Sequence, residues 1–344
     1  MRKSILTLLL ITSAIFGTAA SESAKAEDVG KKRLAVVELS TIYMRQMPDY
    51  ESALETQELM GTVVEIVGEK GYWREIVSPQ PYRAWATEKG LIEMSEEEAE
   101  AYIKAPKVIF SELYGHIYME PSHKAATLCD LVGGDVLRTA GGNECQGEIR
   151  LKGKWTEVIL PSGRKGYVPT SELKPHKGFV SIAQGEGSAD SIDPETTEAI
   201  ISEAERLLGV PYLWGGMSAK GVDCSGLVRI SHIMNGIVLP RNASQQINCG
   251  ERIEMEVKST EGISDDDLRE EMLRRIQNLE RGDLVFFGTP PAEPGKKPRV
   301  THVGIYLGDG KMIHSSHMIR INSLIPGNDD YYENSWKLLG AVRL

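Results

Sequence analysis

Long apolar runs are scarce in this sequence, and low-complexity tracts are absent. Beyond residue 17, no segment approaches the roughly twenty consecutive apolar residues that a membrane-spanning helix needs. We therefore expect no stable insertion into a membrane. The hydrophobic share of 41% is that of an ordinary globular protein, and 344 residues allow two or three domains.

Positive charge is also in short supply. The chain has 39 lysines and arginines against 49 aspartates and glutamates, for a net charge of −10. Because contacts to phosphate groups dominate binding to nucleic acids and anionic lipids, an acidic protein is a poor partner for both. We expect a cationic or neutral substrate and no nucleic-acid partner.

Cysteine is scarce as well, with four in the chain. Cys129 and Cys145 fall within one predicted domain, and the sequence leaves open whether they form a disulfide, because it does not give the distance between their Cα atoms. Cys224 and Cys249 lack the C-x-x-C or C-x-x-H spacing of a zinc site. We expect no metal and no other cofactor.

The single long apolar run lies at the N-terminus. Two basic residues precede apolar residues 5–17, and an A-x-A sequence follows at 24–26. This pattern predicts a secretory signal peptide over residues 1–26, with cleavage after Ala20 as the alternative. No cysteine lies near either cleavage site, so we expect an exported protein, periplasmic or secreted, without a lipid anchor.

An internal repeat occupies the first half of the chain. Segments 71–91 and 153–173 align without a gap, with glycine, tryptophan, glutamate, proline and leucine at equivalent positions. Both contain short runs of β-branched and aromatic residues broken by Gly and Pro, which predicts short strands. We therefore predict two copies of one small β-barrel domain, over residues 27–100 and 101–175.

The closing strand of the second copy carries a resemblance. Residues 163–168 read GRKGYV, which resembles the G-x-x-G-[WY]-V sequence of bacterial SH3-like domains. The first copy departs from this sequence, with PYRAWA at residues 81–86. The resemblance implies that both copies are SH3-like domains. Between them, residues 94–107 predict a short acidic helix.

The last domain is predicted over residues 194–344, after a linker at 176–193 that contains Gly, Ser and Asp without periodicity. The domain opens with a helix that begins at Asp193 or Pro194 and ends at Gly209. The predicted apolar face of this helix consists of Ile200, Ile201, Ala204, Leu207 and Leu208.

Cys224 lies where a Gly-rich aromatic loop, residues 209–223, runs into an apolar segment that predicts a helix. A lone cysteine is usually an inert part of a core. At a helix N-terminus, however, unpaired N–H groups and the positive end of the helix dipole favour the thiolate, which is the nucleophilic form. The same N–H groups can hold an oxyanion. We therefore predict that Cys224 is a catalytic nucleophile.

A histidine hairpin can supply the acid–base partner that a thiol nucleophile needs. His302 alternates with apolar residues along a predicted strand, and residues 308–310, Gly-Asp-Gly, predict a three-residue turn. That turn sets His314 opposite Gly304 and on the same face as His302. A two-residue turn would set it opposite Ile305, on the other face.

The hairpin assigns roles to its histidines. His302 is the predicted base, and His314 is predicted to hold its imidazole in one tautomer. The rival orienter, His317, points away from that face in a regular strand. A metal site built from all three is not expected, because no carboxylate has a useful spacing from them.

Three motifs of the last domain resemble the NlpC-type family of bacterial cell-wall cysteine peptidases, which are papain-like in fold. They are PYLWGG followed by DCSGLV, then RGDLVFF at 281–287, and then HVGIYLGDGKMIHSS. The resemblance implies an α+β fold, with a papain-like catalytic domain after two small SH3-like β-barrels. The catalytic cysteine and histidines of the family fall on Cys224, His302 and His314.

The paired SH3-like domains are similar to those of the subgroup that hydrolyses γ-D-glutamyl–diamino acid bonds in peptidoglycan stem peptides (dipeptidyl-peptidase VI type). The resemblance implies that Asp223 and Ser225 hold the free amine of an N-terminal L-Ala, and that the first barrel closes this subsite through Tyr82 and Glu58. The diamino acid is meso-diaminopimelate or L-lysine. Trp214 is a candidate wall of the cleft.

Structural roles are the alternatives for these residues. Asp223 is also placed to cap the cysteine helix, and Tyr82 to pack within the first barrel. Residues 240–243, Pro-Arg-Asn-Ala, depart from the Pro-Arg-Asp-Ser of the family and lack its carboxylate. Residues 251–280 form a charged insertion, in which we predict an amphipathic helix over Asp265–Asn278 of unassigned purpose.

Two other functions are open at this point. One is a cell-wall binding protein whose last domain is inert, which the intact set of one cysteine and two histidines argues against. The other is an amidase or acyltransferase on the same scaffold, although paired barrels favour peptides as substrates. The sequence does not give the oligomeric state.

Overall fold

The computed structural model describes residues 32–140, 144–145, 148–185, 192–255, 264–291, 293 and 296–344. The predicted signal peptide at 1–26 lies outside the described residues. The side chain of Cys145, one member of the candidate Cys129–Cys145 pair, also lies outside them. No helix in the described part of the chain is long and apolar enough to cross a membrane.

The first repeat folds into a seven-stranded antiparallel sheet. Along the sheet the strands follow the order β3-β2-β6-β5-β4-β1-β7. The strands are β1 (Arg33–Val37), β2 (Thr41–Arg45), β3 (Leu54–Leu59), β4 (Val63–Lys70), β5 (Trp73–Ser78), β6 (Tyr82–Thr87) and β7 (Leu91–Met94).

A helix and a second sheet follow. Helix α1 (Glu96–Lys104) begins with a capping box, in which Ser95 and Glu98 each bond the backbone N–H of the other. In the second sheet the order is β10-β9-β15-β14-β11-β8-β16. Its strands, with a separate hairpin of β12 and β13, are β8 (Lys107–Phe110), β9 (Tyr114–Tyr118), β10 (Thr127–Val132), β11 (Val136–Thr139), β12 (Glu144–Cys145), β13 (Glu148–Ile149), β14 (Trp155–Ile159), β15 (Lys165–Pro169) and β16 (Leu173–His176).

The two sheets have the same strand order when the separate hairpin is set aside. Equivalent positions of the repeat also fill equivalent places. Ile42 and Ile76 are buried in the apolar cluster of the first sheet, and Ile117 and Val158 are buried in that of the second. A repeated pattern of buried residues thus accompanies a repeated topology. That these sheets are SH3-like barrels stays a prediction.

The remaining elements make up a six-stranded sheet, with the order β21-β26-β22-β23-β24-β25, and the helices and short strands around it. They are β17 (Val180–Ser181), α2 (Pro194–Arg206), β18 (Met217–Ser218), β19 (Gly221–Val222), α3 (Cys224–Ile233), β20 (Ile237–Val238), α4 (Ala243–Gln246), β21 (Glu251–Ile253), α5 (Asp265–Ile276), β22 (Leu284–Thr289), β23 (Arg299–Gly308), β24 (Lys311–Ser316), β25 (Met318–Ser323) and β26 (Leu338–Arg343). Within the predicted linker, β17 pairs in parallel with β20, so this stretch contains a short strand.

Helices α2 and α3 pack on one face of the six-stranded sheet. Asp193 caps α2 and Pro194 is its first residue, as the sequence predicts. Leu208 was predicted on the buried face of α2 but is 46% exposed, because the helix ends at Arg206. The apolar cluster on this face of the sheet includes Ile200, Ala204, Leu227, Ile230, Val303 and Ile305.

The charged insertion covers the opposite face of the sheet. Its helix, α5, ends at Ile276 rather than at the predicted Asn278. Met272 and Ile276 of α5 share an apolar cluster with Phe287 and Tyr306 of the sheet. Because sheet residues alternate between the two faces, this second face needs its own cover, and α5 provides it.

Candidate active site

Cys224 is the first residue of α3, and Asp223 is the N-cap. The Asp223 carboxylate accepts the backbone N–H of Gly226 at 2.7 Å, which satisfies one of the free donors of the first turn. The predicted position of the thiol at a helix start is therefore confirmed. Cys224 is buried, with 8% of its surface exposed.

The charge state of the thiol differs from the simple helix-dipole expectation. Burial and the Asp223 carboxylate raise the pKa of Cys224 to about 11, although the N–H groups of Val303 and Ser225 lower it. The uncomplexed protein therefore holds a neutral thiol at neutral pH. The contribution of the Val303 N–H places the sulfur against β23, the strand that also carries His302.

Modification of Cys224 by iodoacetamide is expected to accelerate about tenfold per pH unit between pH 7 and pH 9, because only the thiolate reacts. The measurement is the rate constant for alkylation of the peptide that contains Cys224, followed by mass spectrometry. The Cys224→Ala variant gives the background from the other three cysteines. A rate that is constant across this range would show that the cysteine is already a thiolate and would contradict the raised pKa.

The histidine hairpin reaches the predicted pairing through a different turn. Ile305 pairs with Ile313, so Gly304 lies opposite His314 as predicted. The predicted three-residue turn is wrong, because the loop consists of Asp309 and Gly310 alone. Both have positive φ, 51° and 71°, as a type I′ turn requires.

A register shift keeps the histidines on one face. Between Tyr306 and Gly308 the pairing slips by one residue, which leaves Leu307 as an extra residue in β23. The extra residue offsets the shorter turn. A Cβ at Gly304 would lie 3.2 Å from the Cβ of His314, so a glycine at that position leaves room for the imidazole.

A chain of hydrogen bonds fixes the tautomers of both histidines. The carbonyl of Asp330 accepts the Asn322 Nδ2–H at 2.7 Å, so Asn322 Oδ1 faces His314. His314 Nε2 must then donate to that oxygen, at 2.9 Å, and His314 Nδ1 becomes an acceptor. His302 Nε2 donates to it at 2.7 Å. The lone pair of His302 is therefore on Nδ1, free to accept a proton.

Burial keeps both imidazoles neutral. It lowers the pKa of His302 to about 3, with a further contribution from His314, and it lowers the pKa of His314 to about 4. Tyr332 and Phe287 flank His302, with ring centroids 5.7 and 5.9 Å away. A neutral thiol beside a neutral base implies that the proton moves to His302 as the sulfur attacks. Asn322 was not predicted from the sequence. Pairing a third strand with the histidine hairpin would have indicated it.

Asp223 and Ser225 lie beside the cysteine, but a buried arginine already pairs with them. Arg241 Nη2 and Nη1 donate to the two carboxylate oxygens of Asp223 at 2.6 and 3.0 Å. Arg241 Nη1 also donates to Ser225 Oγ at 3.0 Å, and the arginine is 1% exposed. Asp223 acts as a helix cap and as half of a buried ion pair, so its negative charge is compensated within the protein.

The carboxylate beside Tyr82 is not the predicted Glu58. Tyr82 donates its O–H to Glu55 and also bonds Asn242, and burial together with Glu55 raises the pKa of Tyr82 to about 12. Glu58 instead lies buried 3.5 Å from Arg229, away from Tyr82. Residues three apart on a strand face opposite sides, so Glu55 and Glu58 cannot share a site. The alternation of side chains along a strand would have separated Glu55 from Glu58 in the sequence.

Strand β3 is held against the loop that leads to Cys224. Gln57 Oε1 accepts the Met217 N–H at 2.8 Å. Gly215 has φ +77°, and a Cβ there would lie 3.0 Å from the carbonyl carbon of Glu55, so only glycine allows this close approach. Trp214 is 65% exposed and is not core. Glu55 and Tyr82 thus lie on the same side of the catalytic domain as Asp223.

Comparison with known proteins identifies similar sequences and a similar fold. Residues 209–338 match the NlpC/P60 family. A gamma-D-glutamyl-L-lysine dipeptidyl-peptidase of Bacillus cereus is 28% identical over 292 residues, covering 81% of this chain and 72% of that protein. A Bacillus subtilis protein of the same name is 27% identical over 301 residues, covering 85% and 81%. The crystal structure of an NlpC/P60 family protein from Bacillus cereus has a TM-score of 0.66 at 21% identity and covers 90% of this chain and 99% of that one, which shows a shared fold.

Proposed function

Residues 209–338 form an NlpC/P60 cysteine peptidase domain, and we propose that the chain hydrolyses the γ-D-glutamyl–diamino acid bond of peptidoglycan stem peptides that begin with a free L-Ala. The observation that carries this proposal is the placement of Glu55 and Tyr82, from the first sheet, beside the Asp223 end of the cysteine helix. A peptidase whose cleft is open at both ends would not need side chains from another sheet at this position. The two similar Bacillus peptidases support the bond proposed here.

The chemistry begins with attack of Cys224 Sγ on the carbonyl carbon of the γ-amide. His302 Nδ1 takes the thiol proton and returns it to the departing amine, so that a thioester forms as the C–N bond breaks. Backbone N–H groups at the start of α3 stabilise the oxyanion. Water, deprotonated by His302, then cleaves the thioester and releases the L-Ala-γ-D-Glu carboxylate. His314 and Asn322 hold the imidazole in the required tautomer throughout.

Recognition of the N-terminal ammonium is assigned to Glu55 rather than to Asp223. The Asp223 charge is already paired with Arg241, whereas the partners of Glu55 are the uncharged Tyr82 and Gln46. An ammonium that enters this pocket therefore meets one uncompensated carboxylate. With asparagine at position 242, the pocket carries one carboxylate less than the related Pro-Arg-Asp-Ser sequence would give.

The free amine provides the test. We expect kcat/KM for L-Ala-γ-D-Glu-diamino acid to exceed that for its N-acetylated form by about 100-fold or more, because acetylation removes the cation and leaves Glu55 unpaired. Peptides ending in L-lysine and in meso-diaminopimelate are assayed in parallel, by chromatography of the products. Either diamino acid fits the proposal.

Charge variants locate the effect. Glu55→Gln is expected to shrink the ratio to about tenfold or less, because the uncharged side chain no longer discriminates against a neutral end. Glu51→Gln removes an exposed acid a few residues away and should leave the ratio unchanged. Equal rates on free and acetylated peptides would contradict the proposal and indicate an open cleft that acts on intact peptidoglycan.

We also propose that the protein is exported, on the basis of the predicted signal peptide over residues 1–26.

A further inference from the structure

A cavity of about 900 Å³ lies between the first sheet, the second sheet and α3. Its walls include Glu58 at the end of β3, Tyr102 of α1, His176 at the end of β16, and Arg229 and Ile233 of α3. It is distinct from the site built around Cys224, because Tyr82, Glu55 and the catalytic histidines do not line it. Its volume is in the usual range for pockets that hold small molecules, about 300–1,000 Å³.

Arg229 is a buried residue of the cavity wall, and its guanidinium is under-satisfied. Arg229 is 2% exposed, and its Nη2 lies 3.5 Å from Glu58 Oε1. Its Nε and Nη1 have no hydrogen-bond partner among the described residues. A buried donor without a partner is destabilising, and more so when it is charged, so an acceptor that reached it from the cavity would recover free energy.

The charge of the lining is opposite to that of the whole protein. Arg229, Lys107 and Lys177 supply positive charge against the single carboxylate of Glu58, and a fourth cation, Lys104, is paired with Glu100 at 3.1 Å. Lys107 is buried and donates to two backbone carbonyls at 2.7 and 3.0 Å, which fixes it in the wall. In a chain with a net charge of −10, such a concentration of cations selects anions.

The rest of the lining is apolar. Met60, Val136 and Ile233 are buried residues of the wall, and Ile103 and Phe179 are exposed apolar side chains that also line the cavity. A simple inorganic anion would leave these surfaces in contact with water. An apolar body attached to the anionic group would cover them and gain free energy from the area buried.

We propose that this cavity is a binding site for a small organic carboxylate, with its carboxylate on Arg229 and its apolar body against Met60, Val136 and Ile233. This site is separate from the proposed peptidase function and does not depend on it. Arg229 and Ile233 belong to the same helix as Cys224, so an occupant contacts the far end of the catalytic helix.

The probe is 4-phenylbutanoate, compared with its neutral amide, 4-phenylbutanamide, by isothermal titration calorimetry on the full chain. The two have the same apolar body and differ in charge. We expect the carboxylate to bind about tenfold or more tightly than the amide, since a charge-assisted hydrogen bond is roughly twice as strong as a neutral one. Equal affinities would overturn the proposal by showing that the carboxylate is not recognised. No binding of either at millimolar concentration would also overturn it.

Two variants place the probe. Arg229→Met combined with Glu58→Gln removes both buried charges, so that neither is left unpaired, and should abolish the preference for the carboxylate. Lys177→Glu changes an exposed residue of the lining and should weaken binding of the carboxylate several-fold but not that of the amide. Lys174→Glu, an exposed lysine of β16 outside the lining, is the matched control and should have no effect.

Each result decides the question. A preference that persists in the folded double variant would show that Arg229 does not bind the carboxylate. If the double variant does not fold, as judged by circular dichroism, then Lys177→Glu and Lys174→Glu decide. Equal affinities in these two would place the probe elsewhere and reject this cavity.

Discussion

A Cys224→Ala variant is expected to fold like the wild type and to lose hydrolysis of L-Ala-γ-D-Glu-diamino acid peptides by at least about 10⁴-fold. Without the sulfur there is no atom to form the thioester, and His302 has no thiol proton to accept. The measurement is kcat/KM from product chromatography, with the melting temperature taken by circular dichroism to confirm the fold.

A second buried cysteine gives the matched control. Cys249 is buried, and its sulfur contacts the backbone carbonyl of Gln245 within α4 rather than any catalytic group. Cys249→Ala removes the same atom from a different part of the domain and should retain activity. Full activity in Cys224→Ala would end the cysteine-peptidase mechanism, whatever the behaviour of Cys249→Ala.

The histidine hairpin shows how far local sequence patterns reach. Alternation of apolar and polar residues placed His302 and His314 on one face, because a strand has only two faces. The turn was harder to predict, since Gly308-Asp309-Gly310 suits both a two-residue and a three-residue loop. The structure combines the shorter loop with an extra residue at Leu307, and the net register is the same. The sequence pattern therefore predicts the net register, but not the combination of loop length and extra residue that produces it.

Residues that reach the site from distant parts of the chain could not be predicted from the sequence. Asn322 joins the histidines only because β25 pairs with β24, and Arg241 meets Asp223 only because the chain folds back after α3. Asn322 has no spacing relative to Cys224 that marks it, and the resemblance at residues 240–243 includes Arg241 without indicating its partner. Glu55 could have been predicted, because it faces the opposite side of β3 from the predicted Glu58. The role of α5 also needed the tertiary fold, since an amphipathic helix does not show which surface it covers.

The pKa of Cys224 is the net result of opposing effects. The helix start was read correctly, and its N–H groups do lower the pKa. Burial and the neighbouring Asp223 carboxylate act in the other direction and are larger. Sequence shows the helix terminus but not the depth of burial, so the net direction required the structure.

His302→Ala is expected to be the most severe change among the histidines, with a loss of about 10⁴-fold in kcat/KM, because the proton acceptor itself is removed. His314→Ala should lose about 100-fold, since it leaves the base in place but frees its ring to rotate and to change tautomer. Both are measured as kcat/KM on the same peptide, with melting temperatures to confirm equal stability.

The hydrogen-bond chain predicts which substitution of His314 rescues activity. His314 accepts through Nδ1, and an asparagine at that position carries its side-chain oxygen at an equivalent distance from the backbone. His314→Asn should therefore be more active than His314→Ala. If His314 merely filled space, the two variants would show no such difference. Asn322→Ala leaves the His302–His314 bond intact and should lose less activity than His314→Ala.

The ranking tests the direction of the chain. If His302 receives the proton and His314 only holds it, activity falls in the order wild type, His314→Asn, His314→Ala, His302→Ala. If His314→Ala were the more damaging at equal stability, His314 would be the base, and the tautomers deduced from Asp330 and Asn322 would be reversed. The carbonyl of Asp330 can only accept a hydrogen bond, so the deduced direction rests on a group that cannot change its role.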